Sequence, residues 1–174
     1  MKWTVTAAFL VACHHAPPPQ PPRVVEAAPR DTFAHPRRSE SALTAAERDS
    51  LLREVQARRA VWRARNIVDY TIRVAVGCFC PWPSKPLIME VRGGVPVALR
   101  DTTGKPAGPV REPWSAYTVD ALFDAVERAV RTHDVVEVTY DPHLGYPTAI
   151  RGDAKRGQVD DWYWVRASEL TPRR

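Results

Sequence analysis

Twice in this chain a threonine caps a helix that runs on into β segments, and that repeat constrains the fold more than any other feature. Thr44-x-x-Glu47 is a capping box, in which each side chain satisfies an orphan amide of the other residue. Behind it Leu51, Leu52, Val55 and Trp62 lie near helical spacing and predict one apolar face. Thr118 opens the second helix, with Asp120 near its positive dipole end. Val119, Leu122, Phe123, Val126 and Val130 supply its stripe.

Each helix leads into three strands. After the first, Tyr70, Ile72, Val74, Val76, Cys78 and Cys80 alternate with Thr71, Arg73, Ala75 and Gly77, the pattern of a half-buried strand. Residues 87–91 and 95–99 flank Arg92-Gly93-Gly94. A two-residue turn would set Val91 opposite Pro96 and mismatch the apolar faces. A three-residue loop with Gly94 left-handed is therefore expected, pairing Val91 with Val95, Met89 with Val97 and Leu87 with Leu99. Residues 101–117 hold Gly and Pro without periodicity and read as a loop. After the second helix, Val136, Val138 and Tyr140 alternate, residues 141–147 carry turn chemistry, residues 148–151 return, and Trp162-Tyr163-Trp164-Val165 closes the chain's β content. The expected order is α-β-β-β-α-β-β-β. An α+β fold follows, an antiparallel sheet with both helices packed on one face. The inhibitor proteins of β-lactamases share this helix-then-strands tandem plan, a likeness of fold that confers no function.

The N-terminal part is of another kind. An apolar stretch from Val5 to Val11 follows Lys2 and ends in Leu10-Val11-Ala12-Cys13, the layout of a secretory signal. It resembles the bacterial lipobox, which implies a signal peptide over residues 1–12 and a diacylated Cys13 at the start of the mature chain. The stretch falls well short of the roughly 20 apolar residues that span a bilayer. Residues 14–43 hold Pro17, Pro18, Pro19, Pro21, Pro22, Pro29 and Pro36. Such a segment cannot bury enough surface to offset its ordering entropy, and fully extended it reaches roughly 90 Å. His14, His15 and His35 sit there without Cys or carboxylate neighbours and read as solvated chain. The expected organisation is a signal over 1–12, a lipidated Cys and Pro-rich tether over 13–43, and a single domain over 44–174. The formal charge of +5 is interleaved with acidic residues, and no basic block with aromatics points to nucleic acid. Arg58, Arg59, Arg63 and Arg65 crowd the end of the first helix, where cations suit its dipole.

Three segments together look like one family. They are Tyr70 through Cys78-Phe79-Cys80-Pro81, then Thr118-Val119-Asp120-x-Leu122-Phe123, then Val138-x-Tyr140-Asp141-Pro142-x-x-Gly145-Tyr146-Pro147-Thr148, with Asp153, Asp160 and Asp161 beyond. They resemble a family of uncharacterised bacterial secreted and lipoprotein domains. The resemblance covers about residues 60–168 and implies a small extracytoplasmic domain. It carries no catalytic residues to transfer.

Three groups of residues are candidates for chemistry. Cys78 and Cys80 are the only thiols left if Cys13 is acylated, and an oxidising compartment favours their pairing. In a straight strand they stand about 6.6 Å apart at Cα, the outer limit for a disulfide. A disulfide and two buried thiols both stay open, as do a redox switch and a thiolate metal site with His133 or His143. Tyr140, Asp141, His143, Gly145 and Tyr146 form a candidate functional turn. An acid–base use of Asp141 and His143 competes there with plain turn chemistry, which the Asp-Pro start and Gly145 favour. Asp153, Asp160 and Asp161 lack the spacing of a calcium loop and read as a solvated loop. Neither a nucleophile elbow nor a phosphate loop occurs. The expectation is a lipid-anchored binding or interaction module of the bacterial cell envelope, with no catalytic residues, metal or cofactor. Its partners would be the membrane, through the anchor, and a protein or other envelope component. The alternative is a thiol-redox or metal-handling envelope protein using Cys78 and Cys80.

Overall fold

A computed structural model describes residues 41–79, 85–110, 114–156, 158 and 160–173. Cys13, the tether up to residue 40, and Cys80 lie outside the described residues. Helix α1 spans Ala45–Ala64. Its capping box is complete: Glu47 N–H donates to Thr44 Oγ1 at 3.3 Å, and Thr44 N–H donates to Glu47 Oε2 at 2.8 Å. Helix α2 spans Val119–Thr132, and its cap Thr118 Oγ1 accepts from Ala121 N–H at 3.3 Å.

The strands are β1 (Tyr70–Cys78), β2 (Leu87–Arg92), β3 (Val95–Arg100), β4 (Pro106–Gly108), β5 (Val135–Tyr140), β6 (Pro147–Asp153) and β7 (Trp162–Pro172). The described residues form one seven-stranded sheet in the order β4-β3-β2-β1-β7-β6-β5, antiparallel at every neighbour. The α+β expectation therefore holds. The two halves meet in the middle of the sheet, where β1 runs beside β7 from Tyr70↔Pro172 to Cys78↔Tyr163.

Tyr70 shows why both helices share one face. Its ring meets Trp62 of α1 edge-on, with centroids 5.7 Å apart. Its hydroxyl oxygen accepts the Val119 amide of α2 at 2.9 Å. One buried β1 side chain thus touches α1 and satisfies an orphan donor in the first turn of α2. Burial is the first cause that pushes the Tyr70 phenol up to about 12, so it stays neutral at physiological pH. Ile72, Val74 and Val76 continue the same face into a core with Met89, Val91, Leu122, Phe123, Val126, Ile150 and Val165.

Two expectations are corrected. The β2–β3 hairpin closes with the two-residue turn Gly93-Gly94, so Val91 does stand opposite Pro96 and Met89 opposite Leu99. Both turn glycines have positive φ, 54° and 78°, the type I′ signature that matches strand twist. A register shift between Glu90 and Val91 absorbs the mismatch, as a β-bulge does by adding one residue to one strand. Val95 and Val97 are exposed, while Met89 and Leu99 stay buried. Residues 101–117, expected as loop, contain β4 and the 3₁₀ turn Trp114–Tyr117. Asp101 makes the return possible: its Oδ1 accepts from Thr103 N–H at 2.8 Å and Lys105 N–H at 3.0 Å. The chain then pairs back on β3 through Leu99↔Gly108. The element order is thus one strand and one short helix richer than expected. Among the described residues no helix is long and apolar enough to cross a membrane.

Candidate functional site

The β5–β6 connection is built around Asp141. Its Oδ1 accepts the amides of His143 at 2.9 Å and Leu144 at 2.7 Å. Its carbonyl accepts Gly145 N–H at 3.0 Å, and its own amide donates to the Tyr146 carbonyl at 2.8 Å. This is an Asx turn, in which a short carboxylate replaces missing backbone partners. Gly145 sits at φ 79°, and a Cβ there would stand 3.1 Å from the Arg58 carbonyl. Only glycine meets both demands at once.

The turn is fastened to the C-terminal half of α1. Tyr146 is buried, with its ring 6.2 Å from Trp62. Arg58 lies over the Tyr140 ring at 5.3 Å. Arg65 donates from Nη2 to the His143 carbonyl at 2.9 Å. Burial pushes the phenols of Tyr140 and Tyr146 up, reinforced by Glu54 for Tyr140 and by Asp141 for Tyr146. Both are neutral hydroxyls at physiological pH, poor as acids and unable to act as bases. Among the described residues no side-chain bond joins Asp141 to His143; the carboxylate serves the backbone. Tyr140, Asp141, Gly145 and Tyr146 are thus brought together as packing against α1, with His143 contributing its backbone.

The α1 arginines have uses that the helix dipole does not account for. Arg59, its side chain 14% exposed, reaches Asp124 at 2.5 Å and Glu127 at 3.1 Å and lies over Phe123. Arg48 donates to the Val130 carbonyl. These residues hold α1 to α2.

Cys78 ends β1 half-buried against the core. It is not a free thiol, and the other two cysteines lie outside the described residues. Phe79 beside it is 76% exposed. His133 follows α2, its ring edge-on to Tyr163 at 5.7 Å. Among the described residues no group of three or more His, Cys, Asp or Glu side chains is placed to hold a metal ion.

Two features escape sequence inspection. On the helix-free face of the sheet, Trp164 lies across Gly77, and Arg166 stacks on Trp164 at 5.3 Å. Arg151 of β6 is buried there and pairs with Glu137 of β5 at 3.2 Å. The alternation of Trp162, Trp164 and Arg166 against Tyr163, Val165 and Ala167 is the signal that could have marked this face. The second feature is Asp153, which ends β6 buried, and burial raises its carboxyl above the ordinary aspartate range.

No curated protein matches this chain. The model of a family of unknown function, DUF6174, matches residues 54–172. That span begins inside α1 and ends on the last residue of β7. It takes in the strands, α2 and the Asp141 turn, and the chain belongs to the DUF6174 family.

Proposed function

We propose that this chain is a lipid-anchored binding or interaction module of the bacterial cell envelope, with its domain held outside the cytoplasm and no catalytic role. The observation that carries this reading is Leu10-Val11-Ala12-Cys13 ahead of a Pro-rich stretch and one folded domain. Cys13 is the acylation site, and the Pro-rich residues that follow it are the tether, which gives way to the domain at Leu43, packed on the core with its amide donated to the Asp134 carbonyl at 2.7 Å. More than one acyl chain gives stable anchoring, each buried CH₂ contributing about 0.8 kcal/mol. The Asp141 turn supports the non-catalytic part, since its carboxylate serves the turn's own amides and its glycine lies close against α1. The partner is a protein or other envelope component, reached from the membrane across the tether.

Fractionation of cells making the wild-type chain or Cys13→Ser tests the anchor. The wild type is expected in the membrane fraction with acyl mass on the mature N-terminus, and the variant in the soluble fraction. Membrane retention of Cys13→Ser, with no acyl mass on the wild type, overturns the reading. Crosslinking in intact envelopes then identifies what the domain touches.

One observation favours a second reading: Cys78 is engaged, at the end of a core strand and beside an exposed Phe79. A Cys78–Cys80 disulfide would close a very small ring, for which the chain-entropy gain is modest. Thiol counting before and after reduction, with peptide mass mapping, identifies the partner of Cys78. Stoichiometric zinc or copper in protein purified without added metal would promote a metal-handling role.

A further inference from the structure

Three features meet at one end of the sheet. The first is the way out of the domain. Leu43, just ahead of the α1 cap, donates its amide to the Asp134 carbonyl at 2.7 Å, and Asp134 directly precedes β5. The antiparallel registers set the start of β5 beside the end of β6, the start of β7 and the end of β1, through Val135↔Asp153, Asp153↔Trp162 and Cys78↔Tyr163. The start of β2 and the end of β3 lie at that end too. The chain ahead of Leu43 therefore leaves the domain there.

The second feature is charge. Between residues 44 and 174 the lysines are Lys85, Lys105 and Lys155. Lys85 stands two residues ahead of β2, Lys105 directly ahead of β4, and Lys155 two residues beyond β6. All three are exposed at this end of the sheet. The Gly93-Gly94 turn, the Asp141 turn and residues 65–69 form the other end and hold no lysine. Aspartates near the lysines turn inward. Asp161 Oδ2 accepts Lys155 N–H at 2.7 Å, Asp134 Oδ2 accepts Arg156 N–H at 3.0 Å, and Asp101 Oδ1 accepts Lys105 N–H at 3.0 Å. Among the described residues the exposed charges at this end are Lys85, Arg100, Lys105, Arg131, Lys155 and Arg156 against Glu47, Asp49 and Asp160. The surface is net positive. The third feature is Phe79, directly after β1. At 76% it is the most exposed large apolar side chain among the described residues, and the others are valines.

A protein and a lipid surface both suit a positive face with one apolar ring, and lysine separates them. Protein interfaces favour arginine and are depleted in lysine. A compact hydrated charge on a flexible stem suits headgroup phosphates, which offer no fixed geometry. Aromatic rings settle at headgroup level. We propose that, given the anchored reading above, on which this rests, this end of the domain docks on the anionic phospholipid surface that carries the anchor. The three lysines lie over headgroup phosphates, and Phe79 reaches the acyl boundary. A flexible tether holds the domain near the surface at an effective concentration on the order of mM, so individually weak attractions suffice. Docking in this sense turns the Gly93-Gly94 and Asp141 turns away from the bilayer, toward the module's partner.

The test is NMR of the full chain on lipid nanodiscs with nitroxide-labelled headgroups, made of phosphatidylglycerol or of phosphatidylcholine. Acyl chains, or the apolar stretch Val5 to Val11 alone, hold the chain on the disc. The result is thus independent of acylation, which the mass of the N-terminal peptide decides separately. Phosphatidylglycerol discs are expected to broaden the amides of Phe79, Lys105 and Lys155 and to spare Gly94, Asp141 and Gly145. Phosphatidylcholine discs should broaden none of them. Each lysine near an anionic surface is worth about fivefold in binding. The triple variant Lys85→Gln, Lys105→Gln, Lys155→Gln should therefore show only the phosphatidylcholine pattern, as should the wild type in high salt. Equal broadening on the two lipids overturns the proposal, as does broadening centred on Gly94, no broadening at all, or an unchanged pattern in the triple variant. Should the variant fail to fold, the two lipids compared on the wild type decide alone.

Discussion

The two helices sit on one sheet face and are held by different means. α2, with 14 residues, buries Val119, Leu122, Phe123, Val126, Ala129 and Val130. α1, with 20 residues, buries only Val55 and Trp62. What α1 lacks in apolar contact it gains at points: Trp62 on Tyr70 and Tyr146, Arg59 on Asp124 and Glu127, Arg65 on the Asp141 turn. Apolar burial contributes in proportion to area removed from water. Point contacts depend on geometry and, for the arginines, on salt. Length is therefore a poor guide to which helix supports the fold: the shorter one forms the base, and the longer one is clipped onto it.

Substitutions can break this contrast in graded steps. The largest effect is expected at Phe123, which is fully buried. Phe123→Ala should cost about 3–5 kcal/mol, read as a lower denaturant midpoint for the whole domain. Leu52→Ala on half-buried α1 should cost well under half of that; equal losses would remove the contrast. Tyr70→Phe comes next. It keeps the ring against Trp62 but strands the Val119 amide, at about 1–3 kcal/mol. A neutral result in thermal unfolding would mean that this amide finds another partner.

Arg59→Ala probes the clip itself. With two carboxylates and the Phe123 ring released, roughly 1–2 kcal/mol is expected, and part of it should vanish in high salt. A salt-independent loss would reassign Arg59 to packing alone. The smallest effect is at the cap: Thr44→Ala should cost about 1 kcal/mol. It should raise amide exchange in the first turn of α1 and nowhere in α2.

Features set by local periodicity and capping were legible in the sequence. Both helix starts were readable from Thr44 and Thr118, and the inward face of β1 from Tyr70, Ile72, Val74 and Val76. Features set by tertiary offsets were not. The bulge in β3 has no local mark, so the face rule pointed to the wrong hairpin turn. β4 carries Pro106-Ala107-Gly108 and no alternation; it exists because the Asp101 turn returns the chain to β3. The arginines at the end of α1 suited the helix dipole, yet Arg59 and Arg65 act on other elements. At the candidate turn, the Asx start and Gly145 were readable. That glycine also answers to a helix carbonyl 3.1 Å from where a Cβ would stand, which needs the fold. The burial of Asp153 at the end of β6, where a solvated loop was expected, depends on the packing around that strand end, which spacing alone does not fix.

The most direct test of the contrast is native-state amide exchange across α1 and α2 as denaturant is raised. The contrast predicts that α2 amides from Leu122 to Val130 exchange only through global unfolding, together with β1. It predicts that α1 amides from Leu51 to Trp62 open at a clearly lower free energy, by detachment of the helix, and more readily in high salt. Merging of α1 and α2 into a single global isotherm, with no salt effect on α1, would contradict it.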